Sequence, residues 1–182
     1  DLERDLFFTL LLVAGNETTR NAVSLGIMGF MEHPEQWGRV TGGAGMDEAA
    51  VDEVLRYTSP VNYFRRTATE DTKLGGEFIR AGDKVTLWYA SGNRDEAVYE
   101  DPHRLDLSRT GNHHLAFGGG GAHFCLGASL ARLELKVIFE ALASRMPDIA
   151  STGPADRLRM SLVNGIKHLP VEFTPSEPVL TA

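Results

Sequence analysis

From position 1 to about 32 the chain follows a helical pattern with apolar residues on most of its faces. Leu6, Phe7, Leu10, Leu11 and Val13 are followed further along by Ile27, Met28 and Phe30. A helix of that kind is expected to run through an interior, and His33-Pro34 ends it. Pro34 opens a short second helix to about position 40, and Thr41-Gly42-Gly43-Ala44-Gly45 reads as a loop. Residues 46–57 form a third helical pattern, stopped by Ser59-Pro60. From 61 to 90 the texture changes to short strands, predicted at 63–67, 78–79 and 84–89, with turns at Gly75-Gly76 and Gly82-Asp83. Residues 91–114 are polar and irregular, with a turn at Asp101-Pro102. Leu130, Leu133, Leu135, Val137, Ile138 and Leu142 predict a fourth main helix, from near Cys125 to near Met146-Pro147. Residues 159–173 read as a closing hairpin turning at Asn164-Gly165. The fold class is mainly α with a small β-sheet to one side, and there is no internal repeat.

The 182 residues amount to one ordinary domain or a large piece of one. With 42% hydrophobic and 24% charged residues the balance is globular, and a core can be buried. A net charge of -7 argues against a nucleic-acid partner. The longest apolar stretch, 6–15, is too short to span a bilayer, so no transmembrane anchor is expected in this segment. No signal peptide is visible, and a single cysteine suits a reducing, cytoplasmic setting. The chain opens on Asp1 inside a helical pattern and reads as a fragment of a longer protein.

That cysteine, Cys125, follows a glycine run: Phe117-Gly118-Gly119-Gly120-Gly121-Ala122-His123-Phe124-Cys125-Leu126-Gly127. One cysteine can form no internal disulfide and no four-thiolate metal site. It can be a lone nucleophile, a lone axial ligand to a haem iron, or an inert core thiol. The surroundings favour the ligand. A helix beginning near Cys125 would set its sulfur at a positive dipole end, which favours a thiolate. Four glycines upstream let backbone pass close to a large flat partner. A flexible linker gives no reason for this arrangement, and no Gly-Lys-Ser/Thr closes the run as a phosphate-binding loop would require.

Two other segments carry chemistry. Ala14-Gly15-Asn16-Glu17-Thr18-Thr19 gathers poor helix formers inside the first helix, which predicts a local distortion. Glu17 beside Thr18 is an acid beside a hydroxyl, able to pass protons into a buried site, although the segment alone reads more readily as a surface-facing acid and two Thr capping a helix break. In the third helix Glu53 and Arg56 form an i, i+3 pair among apolar neighbours, which needs further partners if it is buried.

Taken in order, these three elements resemble the cytochrome P450 family over nearly the whole chain. The first segment is similar to that family's oxygen-activation helix, Glu53 and Arg56 to its Glu-x-x-Arg helix, and Arg104 to the arginine that completes a Glu–Arg–Arg cluster. Gly121, His123, Cys125 and Gly127 match its haem-binding loop. The resemblance implies the C-terminal half of the P450 fold, from the central helix onward, with residues 1–182 a partial domain that lacks the N-terminal half. It implies haem b held by the Cys125 thiolate, within a pocket to which Phe117, Gly118 and Gly127 belong. Ala14 and Gly15 would line the oxygen groove, and Glu17 and Thr18 would supply protons. Arg66 and His123 would hydrogen-bond the propionates, whereas Arg65, His113 and His114 read as solvated.

The implied activity is insertion of one atom of dioxygen into a C–H bond of a small hydrophobic substrate. Electrons would come from a ferredoxin-type donor and its reductase, docking on the cysteine side near Arg132 and Lys136. Phe117 lies one position further upstream of the cysteine than is usual in the family. That longer loop is similar to those of actinobacterial enzymes acting on methyl-branched lipids and sterol side chains. Residues 83–89 and 165–170 are similar to the methyl-branched lipid ω-hydroxylases. Pocket walls at Val61, Asn62, Tyr63, Leu162 and Val163 follow from the same resemblance. The alternatives are a peroxide-dependent haem-thiolate enzyme, against which the Glu17–Thr18 pair argues, and a non-catalytic haem-binding fragment. A cysteine hydrolase or dehydrogenase finds no nucleotide-binding fingerprint here. The segment alone is expected to be inactive.

Overall fold

The structure, a computed structural model, describes residues 1–176. Helix α1 (Leu2–Glu32) is the long element that the apolar pattern predicts, N-capped by the Asp1 carboxylate on the Glu3 N–H. Its two halves live in different environments. Beyond Asn21 it is largely buried, whereas the stretch through Asn16 is exposed, with Leu6, Phe7, Leu10, Leu11 and Val13 all open to solvent. Only the second half therefore runs through an interior. Pro34 opens α2 (Pro34–Arg39). The chain then continues through a π-helical turn, Val40–Ala44, that kinks at Gly43, where a plain loop is predicted. Helix α3 (Glu48–Thr58) starts on Asp47, whose carboxylate accepts the Ala50 N–H at 2.8 Å, and stops at Ser59 in the left-handed region, just before Pro60.

Strand β1 (Tyr63–Thr67) pairs antiparallel with β4 (Lys84–Trp88), and β2 (Thr72–Leu74) with β3 (Glu77–Ile79) across the Gly75-Gly76 turn. A one-turn helix, α4 (Tyr89–Gly92), follows β4. Helix α5 (Ala128–Arg145) closes the core. The remaining strands do not form a hairpin within 159–173. β5 (Ala150–Ser151) pairs with β8 (Val171–Glu172), and β6 (Asp156–Arg157) with β7 (Ile166–His168). Among the described residues the β component is thus four two-stranded ribbons rather than one small sheet.

The core lies where α1, α3 and α5 meet. Phe30 packs edge-on against Phe139 at 5.4 Å between ring centres and against Trp37 at 5.1 Å. The approach of α1 to α5 depends on Gly26, because a Cβ there would lie 2.5 Å from Phe139 Cζ. Trp37 Nε1 donates to the Pro147 carbonyl at 2.9 Å and fastens α2 to the chain leaving α5. Leu135, Phe139 and Ala143 form the buried stripe of α5, while Leu130, Leu133 and Val137 are exposed. Among the described residues no helix is long and apolar enough to cross a membrane.

One polar cluster sits inside this frame. Glu53 and Arg56 have no exposed side-chain surface and are joined by two hydrogen bonds of 2.7 and 2.8 Å. Arg56 also donates to the carbonyls of Asn93, Pro102 and Arg104, and Tyr99 lies against its guanidinium. Glu53 accepts from the Asp106 N–H, from Asn112 Nδ2 and from Arg109 Nε at 3.1 Å. The second arginine on Glu53 is therefore Arg109 and not Arg104, which joins the cluster only through its main-chain carbonyl while its side chain faces solvent.

Removing one partner of a buried, hydrogen-bonded pair strands the other charge. Glu53→Ala is expected to cost about 3–5 kcal/mol. Arg109→Ala should lower the melting temperature measurably and Arg104→Ala should leave it unchanged. Thermal melts of the three variants check this, and equal effects from Arg104 and Arg109 would contradict the assignment.

Candidate functional site

The glycine run is a shaped loop. Gly118, Gly120 and Gly121 have φ of 88°, 102° and 74°, values that disfavour any side chain. They turn the chain back so that the Cys125 N–H donates to the Phe117 carbonyl at 3.0 Å, with Phe117 itself buried. A single 3-10 turn, Gly121–His123, carries His123 at the exposed rim. Cys125 is left exposed. The helix after it begins at Ala128, capped by Gly127, so Cys125 stands ahead of α5 and not in its first turn. Among the described residues no group of three or more His, Cys, Asp or Glu side chains could hold a metal ion.

On α1, the Thr18 hydroxyl donates to the Ala14 carbonyl at 2.7 Å. The helix runs unbroken through this segment, because the hydroxyl bonds one turn back without displacing the main chain. Glu17 is 43% exposed and pairs with Arg20 at 3.0 Å. Ala14 and Gly15 are exposed, and no atom lies within 4 Å of where a Gly15 Cβ would stand.

A set of contacts through Asn21, which the sequence did not single out, joins α1 to the cysteine loop. Asn21, fully buried, donates to the Glu17 carbonyl and accepts the Ile166 N–H at 3.1 Å, tying β7 to α1. Gly165 permits this, since a Cβ would lie 3.0 Å from Asn21 Oδ1 and 2.5 Å from Leu158. The segment just before β7 bridges to the entrance of β1 through Val163 with Val61, and through the Asn62 N–H on the Leu162 carbonyl. Tyr89 then donates its N–H to the Asn62 carbonyl, and its hydroxyl lies 3.9 Å from a Cβ position on Gly118. Val61, Asn62, Tyr63, Leu162 and Val163 are thereby brought together, while Leu130 and Leu133 lie apart on α5.

Arg66 lies on β1, exposed, opposite Val85, and donates to the Arg65 carbonyl. Among the described residues it has no carboxylate partner. One expectation for another side chain fails. His114 is not solvated; its side chain is 3% exposed and stands 3.2 Å from Asp52. Arg132 is bound to Asp52 at 2.7 Å and is 26% exposed, so it offers little free charge to a partner. Lys136 pairs with Glu140 at 3.5 Å and is half-exposed. Beside it a surface depression of about 400 Å³ runs between α3 and α5, lined in part by Met46, Val51 and Leu133.

The donor set suits a flat prosthetic group with one axial protein ligand. It offers an exposed sulfur on a turned loop, the Arg66 guanidinium without a carboxylate partner, a rim imidazole and exposed aromatic surface at Phe124 and at Phe64, on the same face of the ribbon as Arg66. Haem has matching needs: a thiolate, cations for its propionates and apolar contact for its ring.

The cytochrome P450 family model matches residues 46–145. A methyl-branched lipid omega-hydroxylase of Mycobacterium tuberculosis is 52% identical over 169 residues, covering 92% of this chain and 40% of that protein. A steroid C26-monooxygenase of Rhodococcus jostii is 48% identical over 171 residues, covering 94% and 36%. Among solved structures, a versatile cytochrome P450 enzyme from Bacillus subtilis superposes with a TM-score of 0.87 at 41% identity, over 92% of this chain and 45% of that one. A Mycobacterium marinum cytochrome P450 in complex with pseudoionone gives 0.83 at 45% identity, over 92% and 40%. The chain belongs to the cytochrome P450 family. It spans about 40% of the length of the curated hydroxylase it matches.

Charge-assisted hydrogen bonds are worth roughly 1.5–3 kcal/mol. In haem-loaded protein, Arg66→Leu is therefore expected to speed haem loss about tenfold or more, and Arg65→Leu to leave it unchanged. Transfer of haem to an acceptor protein measures both rates. Equal rates for the two variants would remove Arg66 from the propionate role.

Proposed function

We propose that this chain is the cysteine-bearing part of a haem-thiolate monooxygenase, acting within a polypeptide that supplies the rest of the P450 fold. The observation that carries the proposal is Cys125, exposed on a glycine-shaped loop whose backbone is fixed by the Phe117 carbonyl. Cys125 would hold the iron, with Arg66 and His123 on the propionates. When bound, the haem supplies dioxygen activation and C–H oxidation, for which a thiolate is the favourable axial ligand.

The residues of this chain have three tasks in that reaction. The cysteine loop fixes the sulfur by its backbone and exposes it. Thr18 keeps its hydroxyl hydrogen on the Ala14 carbonyl, so its oxygen lone pairs are open to accept a proton donor. Glu17, partly exposed and paired with Arg20, would relay to that oxygen a proton taken from water. Electrons would be delivered by a ferredoxin-type donor and its reductase. The similarity to a methyl-branched lipid hydroxylase and to steroid C26-monooxygenases supports a hydrophobic substrate, a methyl-branched lipid or a sterol side chain, oxidised at a terminal carbon.

Supplying donor, reductase and isotopically labelled dioxygen with such substrates should place one labelled oxygen atom in the product. Label arriving only from added peroxide would reject the dioxygen route. Thr18→Ala should retain haem binding but divert electrons to peroxide, and Glu17→Gln should lower kcat more than it raises KM. Wild-type rate and coupling in both variants would deny α1 a catalytic role.

A further inference from the structure

Behind the cysteine loop lies a buried constellation that neither the ligand nor the proton route uses. The His114 ring is wedged between α3 and the loop, with Nε2 3.2 Å from Asp52 Oδ1, at an angle outside that of a straight hydrogen bond. Its Nδ1 accepts the Ala116 N–H at 3.1 Å. A nitrogen that accepts cannot also carry a proton, so in this contact the ring hydrogen sits on Nε2, the nitrogen beside Asp52. Asp52 is itself held by Arg132 of α5 through bonds of 2.7 and 3.3 Å. Its carboxyl stays below the usual carboxylate range: burial pushes it up, and the contacts with His114 and Arg132 outweigh that. The His114 ring lies 5.6 Å from the Phe117 ring, and the Arg132 guanidinium stands 4.8 Å from the same ring.

The contacts form one path. Asp52 orients His114; His114 holds the Ala116 N–H; the next residue, Phe117, holds the Cys125 N–H through its carbonyl. The two steps beyond His114 are hydrogen bonds of 3.1 and 3.0 Å, the first step is a 3.2 Å polar contact, and the path starts on a regular helix and ends on the residue whose sulfur is exposed. Resting on the haem-thiolate reading above, we propose that His114, braced by Asp52, is a positioning residue for Cys125, acting through the Ala116 N–H to hold the loop in the geometry that keeps the thiolate on iron. The ring matters as a hydrogen-bond acceptor at Nδ1, beyond the space it fills.

Asn and Leu separate these two roles, because they share the same branched skeleton of heavy atoms and differ in having an acceptor near the Nδ1 position. The measurement is the rate at which the reduced, CO-bound, haem-loaded protein loses its thiolate band, in wild type, His114→Asn and His114→Leu. The Leu variant should convert about tenfold faster than the Asn variant, as expected for loss of one buried hydrogen bond. Equal rates in Asn and Leu would overturn the proposal and leave His114 as packing. Should a variant fail to load haem, loading becomes the readout: failure of Leu alone supports the proposal, and failure of both overturns it. Absence of a thiolate band in the wild type would overturn the haem-thiolate reading together with this one, whereas a wild-type band with indifferent variants removes only His114.

Discussion

A buried ion pair organises the part of this chain that has no regular structure. Glu53 and Arg56 are both sealed from solvent, and charges so placed must find every available partner. The partners come from outside their own helix: the carbonyls of Asn93, Pro102 and Arg104, the Asp106 N–H, Arg109 and Asn112. The irregular stretch between α4 and the cysteine loop is thus held by one helix face of α3 through polar contacts, where strands or helices would otherwise be needed. A hydrophobic pair would pack there at lower desolvation cost. What a carboxylate and a guanidinium add is direction, since each fixes several main-chain groups at once.

The constraint reaches the cysteine loop by two routes that leave the same helix. Asn93, whose carbonyl serves Arg56, also turns its side chain to the Ser59 hydroxyl and the Leu115 N–H. Asp52, one residue before Glu53, meets His114 and Arg132. Residues 114–117 are in this way clamped from α3, and the glycines then carry the chain round to Cys125 with left-handed backbone that tolerates no side chain. The α1 side is tied in separately, through Asn21 and the bridge from 163 to 61. The exposed sulfur is therefore mounted on a fixed backbone, as a metal ligand requires.

Much of this was legible in the sequence, for identifiable reasons. Helix α3 carries a strong periodic pattern and α1 and α5 long apolar ones, with His33-Pro34, Ser59-Pro60 and Met146-Pro147 as punctuation, and their limits fall within a few residues of those predicted. The strands at 63–67 and 84–88 and the Gly75-Gly76 turn were equally plain, though not their pairing, whereas β2, three exposed residues long, has no alternation to betray it. The closing strands were mispaired because strands of two or three residues take their partners from distant contacts such as Asn21 with Ile166. Composition marked the glycine loop and the cysteine, but the start of α5 shifted because Leu126 and Gly127 belong to the loop. Arg104 and Arg109 stand in the same polar segment, and only the folded path decides which side chain turns inward. His114 looked solvated for the same reason: its acid partner lies on α3, far away along the chain.

The central claim is that Cys125 is the axial thiolate of a haem. The reduced, CO-bound absorption spectrum of the haem-loaded protein tests it most directly, recorded beside that of Cys125→Ser. The account predicts the red-shifted band diagnostic of a thiolate in the parent protein and its complete loss in the variant. A Ser variant that keeps that band, or a parent that never shows it, would contradict the claim.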